Sequence, residues 1–211
     1  YRALYDNTIA SSNVAIGRSA LRYNEEGDMN TAVGTYALLN TTTGNNTAVG
    51  SSAMYSNVTG TYNVALGRTA LYTATAASNN VAIGYQALYN NVADSNTAVG
   101  YASAYSNTTG AGNTALGQFT LYNTTTGNRN TAIGQSALSA NTVGEDNTAL
   151  GAMALTDNTT GTNNTGLGAY ALYQTTTGVA NTAVGFGAMY SSIDGSTNTA
   201  VGRNALYANI D

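Results

Sequence analysis

The pentapeptide Asn46-Thr47-Ala48-Val49-Gly50 returns twelve times along this chain, and the interval hardly varies. The copies begin at Asn13, Asn30, Asn46, Asn63, Asn80, Asn96, Asn113, Asn130, Asn147, Asn164, Asn181 and Asn198. Nine of the eleven intervals are 17 residues, and those after Asn30 and Asn80 are 16. Self-similarity at so short a period is the mark of a solenoid, in which each unit contacts only its neighbours. The fold class expected is therefore all-β, a parallel β-solenoid or β-roll of about thirteen coils. It would form a single repeat domain over residues 1–211. At the parallel-strand spacing such a stack would be roughly 60 Å long.

Numbering each coil from its Asn exposes fixed columns. Position two is Thr in nine copies and Val in three (Val14, Val64, Val81). Position three is Ala except for Gly166, position four is Val, Ile or Leu, and position five is always Gly. Position eight is Ala except for Ser103 and Thr120, and position nine is Leu or Met except for Ala104. Position ten is Tyr in nine coils, and a polar loop such as Asn-Thr-Thr-Gly at 107–110 closes the unit.

Positions two to four are too short for a helix and rich in β-branched residues, so they read as a strand. Gly at five ends it, where the backbone turns tightly or takes positive φ. Alternation puts positions two and four on one face and three on the other. The invariant branched aliphatic at four suggests that its face is the inner one, with Thr at two also inside and Ala at three outside. On that reading Val99→Asp would bury an unpaired charge and destabilise the stack. Ala-Leu at eight and nine reads as the start of a second strand, Leu inside and Ala outside; parity leaves the reverse open. The Asn column would carry amide hydrogen bonds from coil to coil, and the Tyr column would pile ring on ring. The two short coils would lose their residue from the closing loop, which absorbs deletions where stacked strands do not.

Composition removes several function classes. Six Arg, no Lys and ten carboxylates give a net charge of -4, which argues against a nucleic-acid partner. Without Cys or His, no disulfide framework or Cys/His metal site is possible, and the common catalytic bases and nucleophiles are missing. The carboxylates Asp6, Glu25, Glu26, Asp28, Asp94, Glu145, Asp146, Asp157, Asp194 and Asp211 all fall in loop columns. Glu25-Glu26-Gly27-Asp28 lacks the repeating pattern of calcium-binding rolls and the cleft a glycosidase pair needs. It reads as a solvated loop, as does Glu145-Asp146. The Gly column has no Gly-Lys-Ser/Thr to follow it and is not a phosphate loop. Arg18, Arg68 and Arg203 share position six and read as a solubility feature. No enzyme, cofactor or metal site is expected. No apolar run reaches the length of a membrane span. The chain opens at Tyr1 and closes at Asp211 within a repeat, so a portion of a longer array is expected.

The unit Asn-Val-Ala-Ile-Gly at 13–17 and 80–84 resembles the head repeat of YadA-type trimeric autotransporter adhesins, and similar repeats occur in some bacteriophage fibres. The resemblance spans essentially the whole chain. It implies a left-handed β-roll, three chains packed side by side, and an adhesive or receptor-binding fibre on a cell surface or virion. Partners would be the chain itself, as homotrimer or end-to-end fibre, and a surface glycan or host receptor. The 17-residue coil, the Tyr column and the Thr-rich loop depart from that family's usual unit.

Two surface features remain. Tyr55, Tyr72, Tyr89, Tyr105, Tyr122, Tyr173, Tyr190 and Tyr207 form a candidate contact column for glycans or a neighbouring chain. Thr-rich loops such as Thr41-Thr42-Thr43 and Thr124-Thr125-Thr126 suggest the alternative, an ice-binding β-solenoid. Glu25-Glu26, Val92-Ala93 and Ile193-Asp194 interrupt that array, and the more regular Thr column at position two is expected in the core.

Overall fold

A computed structural model describes residues 2–208; Tyr1 and residues 209–211, with the carboxylate of Asp211, lie outside the described residues. The fold is an all-β parallel solenoid with a repeat of about 17 residues and no helix among the described residues. Two compact units occur, Tyr1–Ala102 and Ser103–Asp211. The first holds β1 (Val14–Ile16), β2 (Thr31–Val33), β3 (Thr47–Val49), β4 (Val64–Leu66), β5 (Val81–Ile83) and β6 (Thr97–Val99). The second holds β7 (Thr114–Leu116), β8 (Thr131–Ile133), β9 (Thr148–Leu150), β10 (Thr165–Leu167), β11 (Thr182–Val184) and β12 (Thr199–Val201).

Within each unit consecutive strands pair in parallel, residue for residue, as in Thr47↔Val64 and Ala48↔Ala65. The Thr47 N–H donates upward to the Asn63 carbonyl at 2.9 Å, and the Gly50 N–H donates back to Val33 at 2.7 Å. Register holds across both 16-residue coils, with Thr31 opposite Thr47 and Val81 opposite Thr97. The shortening falls in the closing loop. There the carbonyl that receives the column amide shifts from 14 residues on, as at Gly60, to 13 residues on at Thr43 and Ala93.

The expected face assignment is reversed. Column three lies inside: Ala48, Ala65, Ala82, Ala132 and Ala149 have no exposed surface. Columns two and four face outward, and the column-four residues Val49, Leu66, Ile83 and Leu150 are exposed. Val99 likewise lies on the outward face, so an Asp there would not enter the core. The reason is space. At Gly166, the one gap in column three, an added Cβ would stand 3.4 Å from Cδ1 of Leu155 and 3.3 Å from the carbonyl of Ala171. The interior has room for one Leu and a methyl at that level, not for two branched side chains. Ala at position three is small because it is buried.

Among the described residues the expected second strand does not form; positions six to eleven run mostly as turns. Two residues per coil here take left-handed φ, for example Ser52 (+57°) and Met54 (+50°), or Ser136 (+55°) and Leu138 (+52°). That conformation is costly for a branched residue outside Gly and Asn. It breaks two-residue alternation, and Ala and Leu at eight and nine can both point inward. Ala87 and Leu88, like Ala137 and Leu138, have no exposed surface; the expectation that this Ala faces out is corrected. Stacking compensates the strain. The Ser52 N–H donates down to Thr35 at 2.8 Å and the Met54 N–H donates up to Ala70 at 3.0 Å. Leu88 is among the largest fully buried side chains, so Leu88→Ala should cost about 2–5 kcal/mol in chemical denaturation.

Gly at five takes φ between +123° and +141°, as the sequence suggests. A Cβ on Gly50 would sit 2.5 Å from the carbonyl oxygen of Gly67 in the next coil. Both the dihedral and the coil-to-coil approach exclude any other residue.

Candidate functional site

The Asn column is internal. Asn30, Asn46, Asn63, Asn80 and Asn96 are buried in the first unit, as are Asn113, Asn130, Asn147, Asn164 and Asn181 in the second; Asn13 and Asn198 are half-buried. The Oδ1 of Asn147 accepts the backbone N–H of Asn164 at 2.9 Å and its side-chain amide at 3.2 Å. The Nδ2 of Asn147 donates to the Gly161 carbonyl at 2.8 Å. Each amide thus ties its own loop shut and receives the strand start of the next coil. This column holds the coils together and offers nothing to a ligand.

A second polar column went unrecognised in the sequence. Position twelve, first residue of the Asn-Thr-Thr-Gly loop, carries Asn24, Thr41, Asn57, Asn91, Asn107, Thr124, Asn141, Asn158, Thr175 and Ser192, all buried. Its amides converge on the same loop carbonyls as the first column. Gly161 O accepts from Asn147 at 2.8 Å and from Asn158 at 3.1 Å, and Gly144 O accepts from Asn130 at 2.8 Å and from Asn141 at 3.1 Å. Both lone pairs of one carbonyl are used. The recurring Asn at the loop start was the available signal.

The tyrosines stack. Ring centroids lie 5.2 Å apart for Tyr55–Tyr72 and 5.1 Å for Tyr72–Tyr89, with interplanar angles of 12° and 2°. In the second unit Tyr105–Tyr122 stack at 5.4 Å, Tyr173–Tyr190 at 5.0 Å and Tyr190–Tyr207 at 5.0 Å. Ser139 and Thr156 interrupt the run. Burial pushes the Tyr190 hydroxyl above its ordinary pKa, assisted by the neighbouring phenols. Rings stacked in this way spend their faces on each other. What they offer a partner is a row of edges and hydroxyls, not the open ring faces on which a sugar packs.

The Thr-rich loops are similarly occupied. In the second unit Thr108, Thr125, Thr142, Thr159 and Thr176 form an unbroken column. The Oγ1 of Thr125 donates to Thr142 O at 3.1 Å, that of Thr142 to Thr159 O at 3.0 Å, and that of Thr159 to Thr176 O at 3.2 Å. These hydroxyls stitch the loop edge.

The strand face is different. Column two in the second unit is Thr114, Thr131, Thr148, Thr165, Thr182 and Thr199, pointing outward rather than into the core. Their hydroxyls have no protein partner among the described residues. Beside them run Leu116, Ile133, Leu150, Leu167, Val184 and Val201. Neither column carries a charge. In the first unit the same face mixes Thr31, Thr47 and Thr97 with Val64 and Val81, beside Val33, Val49, Leu66, Ile83 and Val99. Each unit therefore presents an in-register strip of branched aliphatic side chains flanked by small hydroxyls.

Charged groups are sparse. Arg129 donates to Asp146 at 2.7 Å and to Glu145 at 3.0 Å across adjacent coils. The hydrogen bond from Arg129 holds the Asp146 carboxyl below the usual carboxylate range. The group is exposed to solvent and sits in the closing loop. Desolvation raises Asp157 above the usual range. Among the described residues no cluster of three or more metal-ligating side chains occurs, and no helix is long and apolar enough to cross a membrane. Comparison with protein-family models, with curated proteins and with solved structures returns no match.

Proposed function

We propose that this chain is a non-catalytic structural segment of an extracellular fibre, adhesive in role, on a cell surface or a virion. Three copies pack side by side, as the likeness to YadA-type head repeats implies, and the strand faces are the surfaces that meet. The observation that supports this reading is the uncovered aliphatic strip of column four. An ordered row of exposed Val, Ile and Leu, free of charge, is the kind of surface that marks an interaction site. Chains related by rotation can bury it against one another without altering their own cores. Light scattering should give a mass near three times 21.5 kDa. The double variant Leu66→Glu and Leu150→Glu should shift that mass to a monomer while the far-UV spectrum stays unchanged, since both side chains are outside the core. A monomeric wild type, or a double variant that still assembles, removes the reading.

One observation favours a second reading, an ice-binding solenoid. The regular Thr column faces outward with unpartnered hydroxyls, so the array suited to ordered water is the strand face and not the Thr loops. The two readings compete for one surface, because a trimer covers it. Thermal hysteresis from a monomer that is lost in Thr148→Tyr would favour ice binding; assembly without hysteresis would favour the fibre.

A further inference from the structure

Three of the six arginines, Arg2, Arg18 and Arg22, converge on one cleft of about 370 Å³ at the first coils of the N-terminal unit, floored by Ser19. The columns hide this grouping, because the three occupy positions seven, six and ten of two successive coils. No carboxylate lines the cleft among the described residues, and none of the three arginines makes an ion pair there. The cations are held in place by rings. Arg2 lies 5.4 Å from the centroid of Tyr5, Arg22 lies 4.8 Å from that of Tyr23 and 6.0 Å from that of Tyr5, and Arg18 lies 5.5 Å from that of Tyr36. The Nε of Arg22 is buried and has no hydrogen-bond partner.

We propose that this cleft binds an oxyanion of the sulfate or phosphate class. Three like charges brought together in a chain of net charge -4 repel one another unless a counter-charge sits between them. A buried guanidinium N–H without an acceptor carries a desolvation cost that an anion oxygen relieves. Guanidinium forks suit tetrahedral oxyanions, which accept several hydrogen bonds at once. Ser19 is buried at the floor, and its hydroxyl can donate a further bond. The ion can be free or be an ester on a larger molecule such as a saccharide. The proposal does not depend on the fibre reading, since none of the four lining residues belongs to columns two or four.

The test is calorimetric titration of the full chain with sodium sulfate, with inorganic phosphate and with a sulfated disaccharide, each against sodium chloride at matched ionic strength. Saturable binding is expected, weaker at high salt. Arg18→Gln and Arg22→Gln should each weaken it by about tenfold or more, because each removes a charge-assisted hydrogen bond. Arg68→Gln, in the same column as Arg18 but outside the cleft, should leave it unchanged. Arg18 is exposed, so its variant keeps the wild-type melting temperature and separates lost binding from lost fold. Tighter binding of the saccharide than of either inorganic ion assigns an ester as the source, and equal binding assigns the free anion. No saturable binding of any of the three, or binding that both arginine variants retain, overturns the proposal. A trimer mass with no anion binding would leave the fibre reading standing and remove this one alone.

Discussion

Ala132→Asp should abolish the fold of the C-terminal unit, while Ile133→Asp, one residue on, should leave it intact. Ala132 has no exposed surface, and its methyl lies in the narrow interior beside the position-nine leucines. A carboxylate there has neither water nor a partner cation. Its burial costs more than about 4 kcal/mol even after the group takes up a proton, and the extra atoms have no space. Ile133 points outward from the same strand, so an Asp there stays solvated within the chain. Circular dichroism and urea unfolding of the two variants decide between the inward column and its outward neighbour. Equal loss in both would mean that the strand faces are assigned wrongly. Under the fibre reading, Ile133→Asp has one further effect, dissociation of the assembly with the coil preserved.

The next largest effect is expected from Asn147→Leu. Leu matches Asn in size and is apolar, so hydrophobic transfer favours it. Yet the substitution strips an acceptor from the Asn164 backbone N–H and one of two donors from the Gly161 carbonyl. The Asn164 side-chain amide loses a partner as well. The Asn164 N–H is left without a partner, which costs roughly 1–3 kcal/mol, and the two other lost bonds cost about 0.5–1.5 kcal/mol each, so the total should be about 2–6 kcal/mol; the Gly161 carbonyl keeps Asn158 and the Asn164 amide keeps Gly178. Hydrogen exchange should show the loss locally, with protection falling first at the Asn164 backbone amide. A variant as stable as the wild type would mean that the amide column is incidental to stacking.

The period, the parallel register and the position-five glycines could be read from residue identities, because each is set by backbone geometry that repeats every coil. The faces could not. Val, Ile or Leu at four looked like core by hydrophobicity, but inside and outside are decided by available volume, and only the approach of Leu155 to Gly166 reveals how little there is. A parity clue was present: the invariant Asn, the small residue and Gly occupy positions one, three and five, and side chains of like parity share a face. The turn at positions six to eleven left no such clue. Left-handed φ is ordinarily announced by Gly or Asn, and here Leu138 and Ser136 adopt it because hydrogen bonds to the coils above and below enforce it. The arginine cleft was invisible for a different reason. It joins residues from unlike columns, and reading down columns separates what the coil brings together.

The aromatic column has an optical consequence. The chain contains no Trp, so phenol absorption and emission are not masked by indole. Rings stacked nearly parallel at 5.0 to 5.4 Å couple their electronic transitions. The native stack should therefore show a split near-ultraviolet band and quenched emission. Peeling one coil from its neighbour separates a single pair of chromophores, and the signal records unzipping coil by coil without any attached dye.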